Sequence, residues 1–198
     1  MFDVPDWSQP VDFEARLAVV PPDAVIRGMF LQVLLDAFSQ ELKAKIRARR
    51  YVAFKNYPMR EYVELLALSA ENNRAQRPAE HMRRLGRLIY PNYVKTLSGS
   101  AIFAVAGRDY GRVIEASPTA YKVGLAPASI TIKRLESNHA QVELRNVFNL
   151  PDFHQVGIWE GAMKVCGVSG AIKTRVIDFG ATDFDIRWQS TNNSLRPR

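Results

Sequence analysis

The chain has 198 residues, enough for one domain of ordinary size with a real core. It is 47% hydrophobic and 24% charged, the make-up of a globular protein, and its single cysteine, Cys166, excludes an internal disulfide and a cysteine-rich zinc site. The net charge of +7 would attract nucleic acid, anionic lipid or an acidic partner.

The start, Met1-Phe-Asp-Val-Pro-Asp-Trp7, lacks the basic opening and apolar run of a signal peptide. No apolar stretch reaches the ~20 residues of a spanning helix. A soluble, cytoplasmic protein is expected.

Residues 1–14 read as a mobile lead-in, and Glu14–Val20 alternates weakly, as a short strand would. Pro21-Pro22-Asp23 suits a helix N-terminus, and Ile26, Met29, Phe30, Val33, Leu34, Ala37 and Phe38 then form one apolar stripe. That stripe fades beyond Leu42 into the basic run Lys43–Arg50. A second helix is expected from Pro58, with Met59, Val63, Leu66, Ala67 and Ala70 facing inward. Pro78 opens a third, burying Met82, Leu85, Leu88 and Ile89 and turning Arg83, Arg84 and Arg87 to the other side. Tyr90-Pro91 is expected to interrupt it. Leu97–Ala106 forms a fourth, and Tyr110–Glu115 adds a turn or two.

After Pro118 the rhythm changes to period two. Ser129–Leu135 and Ala140–Phe148 predict a hairpin joined at Glu136-Ser-Asn-His139. Pro151-Asp152 starts a helix running through Val165, and Ala171–Phe179 and Thr182–Gln189 are the last strands. The predicted fold is α+β. An N-terminal layer of about four helices precedes a small four-stranded antiparallel sheet, with a helix crossing between strand pairs. A single domain, 15–189, would lie between the lead-in 1–14 and a polar tail, 190–198.

No motif points to catalysis, and no catalytic residue is assigned. His81, His139 and His154 fall in three different elements without ligand spacing, so no metal is expected. Ser98-Gly-Ser100 and Gly107-Arg-Asp-Tyr-Gly111 match no phosphate loop. Cys166 reads as a small buried hydrophobe. Lys43, Lys45, Arg47, Arg49 and Arg50 form one basic cluster; Arg74, Arg77, Arg83, Arg84 and Arg87 form another. The Arg83, Arg84 and Arg87 patch could meet phosphates, though a solvated helix face accounts for most such runs. The nearby Tyr51, Phe54, Tyr57, Tyr90 and Tyr93 are expected to pack.

The late helix carries the strongest signal. Val156, Ile158, Trp159, Ala162, Met163, Val165 and Cys166 make it apolar over most of its circumference. Gly157, Gly161 and Gly167 each cost a helix interior up to ~1 kcal/mol relative to alanine. Such glycines suit close approach by another backbone or by a ligand. The readings are tight packing on the sheet, the wall of an apolar pocket, or a dimer seam. The candidate ligand-binding or interface residues are Val156, Gly157, Trp159, Glu160, Gly161, Met163 and Cys166. Tyr90, Tyr93 and Phe103 join them from the helical half.

Residues 21–30 (Pro-Pro-Asp-Ala-Val-Ile-Arg-Gly-Met-Phe), 83–93 (Arg-Arg-Leu-Gly-Arg-Leu-Ile-Tyr-Pro-Asn-Tyr) and 157–167 (Gly-Ile-Trp-Glu-Gly-Ala-Met-Lys-Val-Cys-Gly) resemble a known family. It is a domain of unknown function, known as a large paralogous family in myxobacteria. More remotely, the layout is similar to the superfamily of haem–nitric-oxide sensor domains, 4-vinyl reductase domains and TRAPP subunits. That resemblance implies binding of haem, small hydrophobic molecules, acyl chains or protein partners. The sensors' Tyr-x-Ser-x-Arg motif is absent here, so no haem or other cofactor is expected.

Together these readings give a non-enzymatic cytosolic sensory or regulatory domain that binds a small apolar ligand, as a homodimer. An assembly module using helix 152–166 is the alternative, and nucleic-acid binding through Arg83, Arg84 and Arg87 a weaker one.

Overall fold

The computed structural model describes residues 1–46, 50–73 and 77–190. Arg47, Arg49 and Arg74 of the basic clusters, and residues 191–198 of the predicted tail, lie outside the described residues.

The fold is α+β, with a helical N-terminal region followed by an antiparallel sheet. Glu14–Val20 is not a strand: α1 (Phe13–Ala18) forms there, because the Asp12 side chain accepts the Ala15 N–H at 2.9 Å and caps it. Arg16 on this helix is buried, and its Nη1 donates to Asp152 Oδ1 at 2.8 Å. The helix expected from Pro21 starts later. Val25–Arg27 is a strand, β1, which pairs on one side with β2 (Asn56–Pro58) and on the other with β3 (Leu125–Ala126). The sequence stripe hid this strand, since pairing to two distant segments overrides local propensity.

The stripe itself breaks in two, as α2 (Gly28–Ala37) and α3 (Gln40–Lys45). Phe38 is extended and Ser39 caps the second piece through the Leu42 N–H. Next come α4 (Met59–Asn72), α5 (Pro78–Tyr93) and α6 (Leu97–Ala106). Pro91 does not interrupt α5, which runs on to Tyr93. Pro118 likewise lies inside α7 (Tyr110–Gly124), far longer than the turn or two expected. A proline leaves the carbonyl four residues back without its partner. Here that carbonyl belongs to Ile114, and Ser117 Oγ donates to it instead.

The hairpin forms as β4 (Ser129–Glu136) and β5 (His139–Arg145). Helix α8 (His154–Cys166) then leads to β6 (Val168–Asp178) and β7 (Ala181–Ser190), giving the sheet order β4-β5-β7-β6. Gly167 ends α8 in the left-handed region at φ 70°. Two apolar clusters result. One joins α2, α4 and α5; the other joins the inner sheet face to α7 and α8. The segment read as a lead-in lies against both, since Asp3 pairs with Thr174 of β6 and Trp7 touches each cluster.

Helices α5 and α8 meet backbone to backbone. A Cβ at Gly86 of α5 would collide with the His154 carbonyl, and one at Gly157 of α8 with the Arg83 carbonyl. At Gly161 it would fall 2.6 Å from the Arg87 carbonyl oxygen. His154 fastens the same junction. Its Nδ1 donates to the Met82 carbonyl of α5 at 3.2 Å, and its Nε2 accepts the Tyr62 hydroxyl of α4 at 3.0 Å.

Two expectations follow from this junction. Gly157→Ala places a methyl against backbone that cannot yield, so its unfolding free energy in urea should fall by about 1–3 kcal/mol. An unchanged midpoint would contradict the close contact. Burial also drives the His154 imidazole down to about 4 from its ordinary 6.5; its bond to the Met82 carbonyl opposes this and the charge of His81 adds to it. The unfolded chain therefore takes up a proton that the folded chain refuses between those values. Stability should be complete above pH 6.5 and fall towards pH 4, by roughly 3 kcal/mol for this group. His81, also lowered by burial, contributes with the same sign. In His154→Gln the dependence on pH between 6.5 and 4.5 should shrink, measured by urea unfolding across that range; an identical slope would refute the assignment.

Candidate functional site

Helix α8 turns a different chemistry to each neighbour. Gly157 and Gly161 lie against α5. Val156, Trp159, Ala162, Met163 and Cys166 face the sheet cluster of Val142, Leu144, Phe184 and Ile186. Burial, with the Asp109 carboxylate and against Arg108, pushes the Cys166 thiol up to about 11, so it stays a neutral thiol.

Glu160 sits at the edge of the α5–α8 contact and is clasped by two arginines. Arg83 reaches its carboxylate through Nε at 2.9 Å and Nη2 at 2.6 Å, and Arg87 through Nε at 2.6 Å. Burial raises the Glu160 carboxyl, but the bonds and charges of both arginines outweigh it and hold the group below its ordinary range. Arg83 also stacks on the Trp7 ring at 4.1 Å. Arg84, more exposed, pairs with Glu80 at 3.2 Å. The basic patch is thus largely committed within the chain.

A cavity of about 80 Å³ lies where the two apolar clusters meet. Helix α7 forms one wall with Val113, Ala116, Ser117, Ala120 and Tyr121, where the small residues at 116 and 120 share a face and leave room. Ile89, Tyr90 and Tyr93 come from α5, Tyr62 from α4, Ile26 from β1 and Leu125 from β3. Phe30 of α2 stacks on Tyr93 at 5.4 Å and 13°, and its ring occupies the space that a side chain at Gly124 would need. None of the lining residues carries a charge at neutral pH. Burial raises the phenols of Tyr62, Tyr90, Tyr93 and Tyr121 above their ordinary 10, so all four keep their protons.

The last part of the wall comes from Gln155, Ile158 and Trp159 of α8 and from Asn149. The loop between β5 and α8 takes a sharp course, with Asn146 and Leu150 both at φ 57°. For leucine that region is costly. The bend lets the Leu150 carbonyl accept the N–H groups of Phe153, His154 and Gln155, and so begins α8. It also sets Asn149 Nδ2 3.4 Å from Gln155 Oε1. Among the described residues, three buried atoms of the side chains on this wall have no hydrogen-bond partner within the chain: Asn149 Oδ1, Gln155 Nε2 and Trp159 Nε1. Each orphaned group costs about 1–3 kcal/mol if left dry.

The sequence-chosen residues therefore separate. Tyr90, Tyr93 and Trp159 meet at the cavity, Gly157 and Gly161 at α5, and Glu160 at Arg83 and Arg87. Val156, Met163 and Cys166 belong to the sheet core, and Phe103 on α6 packs at its margin, outside the cavity lining. Sequence reasoning missed Tyr62, Tyr121, Asn149 and Gln155. The last two carried a weak signal: amides within a largely apolar run from Val147 to Ile158 that also holds Asp152 and His154. Among the described residues no cluster of three or more His, Cys, Asp or Glu could hold a metal, and no helix is long and apolar enough to cross a membrane.

The family model for DUF2378, a protein of unknown function, matches residues 19–189, and the chain belongs to that family. None of the curated proteins matches it by sequence. By structure it is similar to an H-NOX protein from S. oneidensis in the Fe(II)NO ligation state, with a TM-score of 0.66 at 15% identity, covering 83% of this chain and 100% of that one. The Fe(II) unliganded H-NOX protein from K. algicida gives 0.65 at 13% identity, over 87% and 100%. An oxygen-binding H-NOX domain related to soluble guanylate cyclases gives 0.62 at 16%, over 86% and 96%. These likenesses concern the fold.

Proposed function

We propose that this member of the DUF2378 family is a non-enzymatic sensory or regulatory domain, cytosolic and homodimeric, which binds a small, largely apolar ligand in the cavity between α2, α4, α5, α7 and α8. The observation that carries the reading is the uncharged, tyrosine-rich cavity at the seam of the two cores, where helices from both halves meet. The fold likeness to H-NOX proteins, some described as oxygen-bound or NO-ligated, supports a ligand-sensing role.

Haem is the group that such a likeness brings to mind, and the residues here do not fit it. Among the described residues no histidine, cysteine or methionine lines the cavity, and its tyrosines are held as protonated phenols. Among the described residues no arginine or lysine lines it to meet propionates. Its 80 Å³ is several-fold below the ~300–1,000 Å³ of clefts that enclose cofactors. A dimer seam along α8 is not favoured either, because its glycine face is filled by α5 of the same chain.

Native mass spectrometry of freshly purified protein should release a small neutral molecule, and a panel of apolar metabolites should raise the melting temperature. A ligand at ~100 times its Kd adds about 2.7 kcal/mol, a shift of several degrees. Ala120→Phe, which fills the cavity from α7, should abolish both effects. A flat panel with no co-purifying molecule would overturn the reading.

A further inference from the structure

We propose that the cavity selects a neutral ligand whose head places a hydrogen-bond acceptor beside a donor, the chemistry of a primary amide or lactam, read by Asn149, Gln155 and Trp159. This rests on the reading of the cavity as the ligand site and names what that site takes.

The three orphaned atoms are of complementary kinds. Gln155 Nε2 and Trp159 Nε1 can only donate, and Asn149 Oδ1 can only accept. A carbonyl with an adjacent N–H carries both the acceptor and the donor that these atoms lack. Exchanging the nitrogen and oxygen of both side-chain amides still leaves one donor and one acceptor on the Asn149–Gln155 pair, so the demand is a property of the pair.

Charge is excluded from the same wall. A carboxylate would bring no N–H for Asn149 and would find no lining cation; an ammonium would find no lining anion. The residues responsible are not incidental to the fold. Asn149 precedes Leu150, whose φ of 57° is uncommon for a bulky side chain, and both are buried. Hydrophobic residues at both 149 and 155 would remove two of the three unpaired atoms.

Size limits the head. A cavity of ~150 Å³ takes benzene, and this one holds about 80 Å³, so the enclosed part has only a handful of heavy atoms. Phe30, Tyr90, Tyr121 and Leu125 around it are half-buried, which gives an apolar body flat surfaces and a way outward.

Propionamide, butanone and propionate have nearly the same shape and differ only at the head. Titrated into the ¹⁵N-labelled native chain, propionamide should bind at least tenfold more tightly than butanone, and propionate should not bind. Propionamide should also move the Trp159 indole N–H resonance, identified by its loss in Trp159→Phe. Gln155→Leu should erase the preference for the amide; the ranking on the native chain stands without that variant. Equal binding of amide and ketone, with cavity resonances moving, would overturn this inference and leave the cavity as a ligand site. Tighter binding of propionate would overturn its neutrality. No response at Ile89, Val113 or Trp159 to any probe would overturn both this inference and the reading beneath it.

Discussion

The structure depends on one contact, the backbone-to-backbone meeting of α5 and α8. Three glycines permit it: Gly86 on one helix, Gly157 and Gly161 on the other. Each carries the conformational cost of glycine in a helix, on the order of 1 kcal/mol. The return is a separation at which dispersion and weak Cα–H···O contacts act along two turns. Polar groups then lock the register. His154 spans α8, α5 and α4 at one end, and Glu160 spans α8 and α5 at the other. Sliding α8 by one residue would bury Glu160 unpaired or free the His154 ring.

That contact accounts for the cavity. With α8 fixed on α5, its Trp159 face must reach both the sheet and α7. The helical cluster and the sheet cluster meet along a line where α7 offers Ala116, Ser117 and Ala120. Small residues there cannot close the gap. The same α7 carries Pro118, whose lost hydrogen bond is covered by the Ser117 hydroxyl. Backbone continuity and cavity space are thus settled within one turn.

Local pattern in the sequence was enough for the hairpin, the late helix and the last two strands, because periodicity and turn residues act over a few positions. It was not enough for β1, whose partners lie at Asn56–Pro58 and Leu125–Ala126. It also misjudged Pro91 and Pro118, where tertiary packing and a side-chain hydroxyl compensate for what proline removes. In the sequence, Gly157, Gly161 and Gly167 suit close approach by another backbone or by a ligand. A backbone does approach Gly157 and Gly161, while Gly167 has open space around it and a left-handed φ that ends the helix. The approaching backbone, however, is α5 and not the sheet, a choice that no spacing within 152–167 encodes. Arg83 and Arg87 looked like a solvated face because their partner, Glu160, lies more than seventy residues away.

The fold likeness to H-NOX proteins and the chemistry of the cavity point in different directions, and the chemistry governs what can bind. A fold fixes where a space opens between a helical layer and a sheet; side chains fix the charge, size and hydrogen-bonding demand of that space. Here the excess positive charge of the chain stays out of it. Arg83 and Arg87 are spent on Glu160, and Arg145 and Arg175 on the buried Asp183 of β7. What remains at the seam is apolar surface, four protonated phenols and an amide pair with unmet hydrogen bonds. An ion would pay its full desolvation there, and a pure hydrocarbon would leave three polar atoms dry. A neutral, mostly apolar molecule with a polar end, as proposed above, avoids both costs.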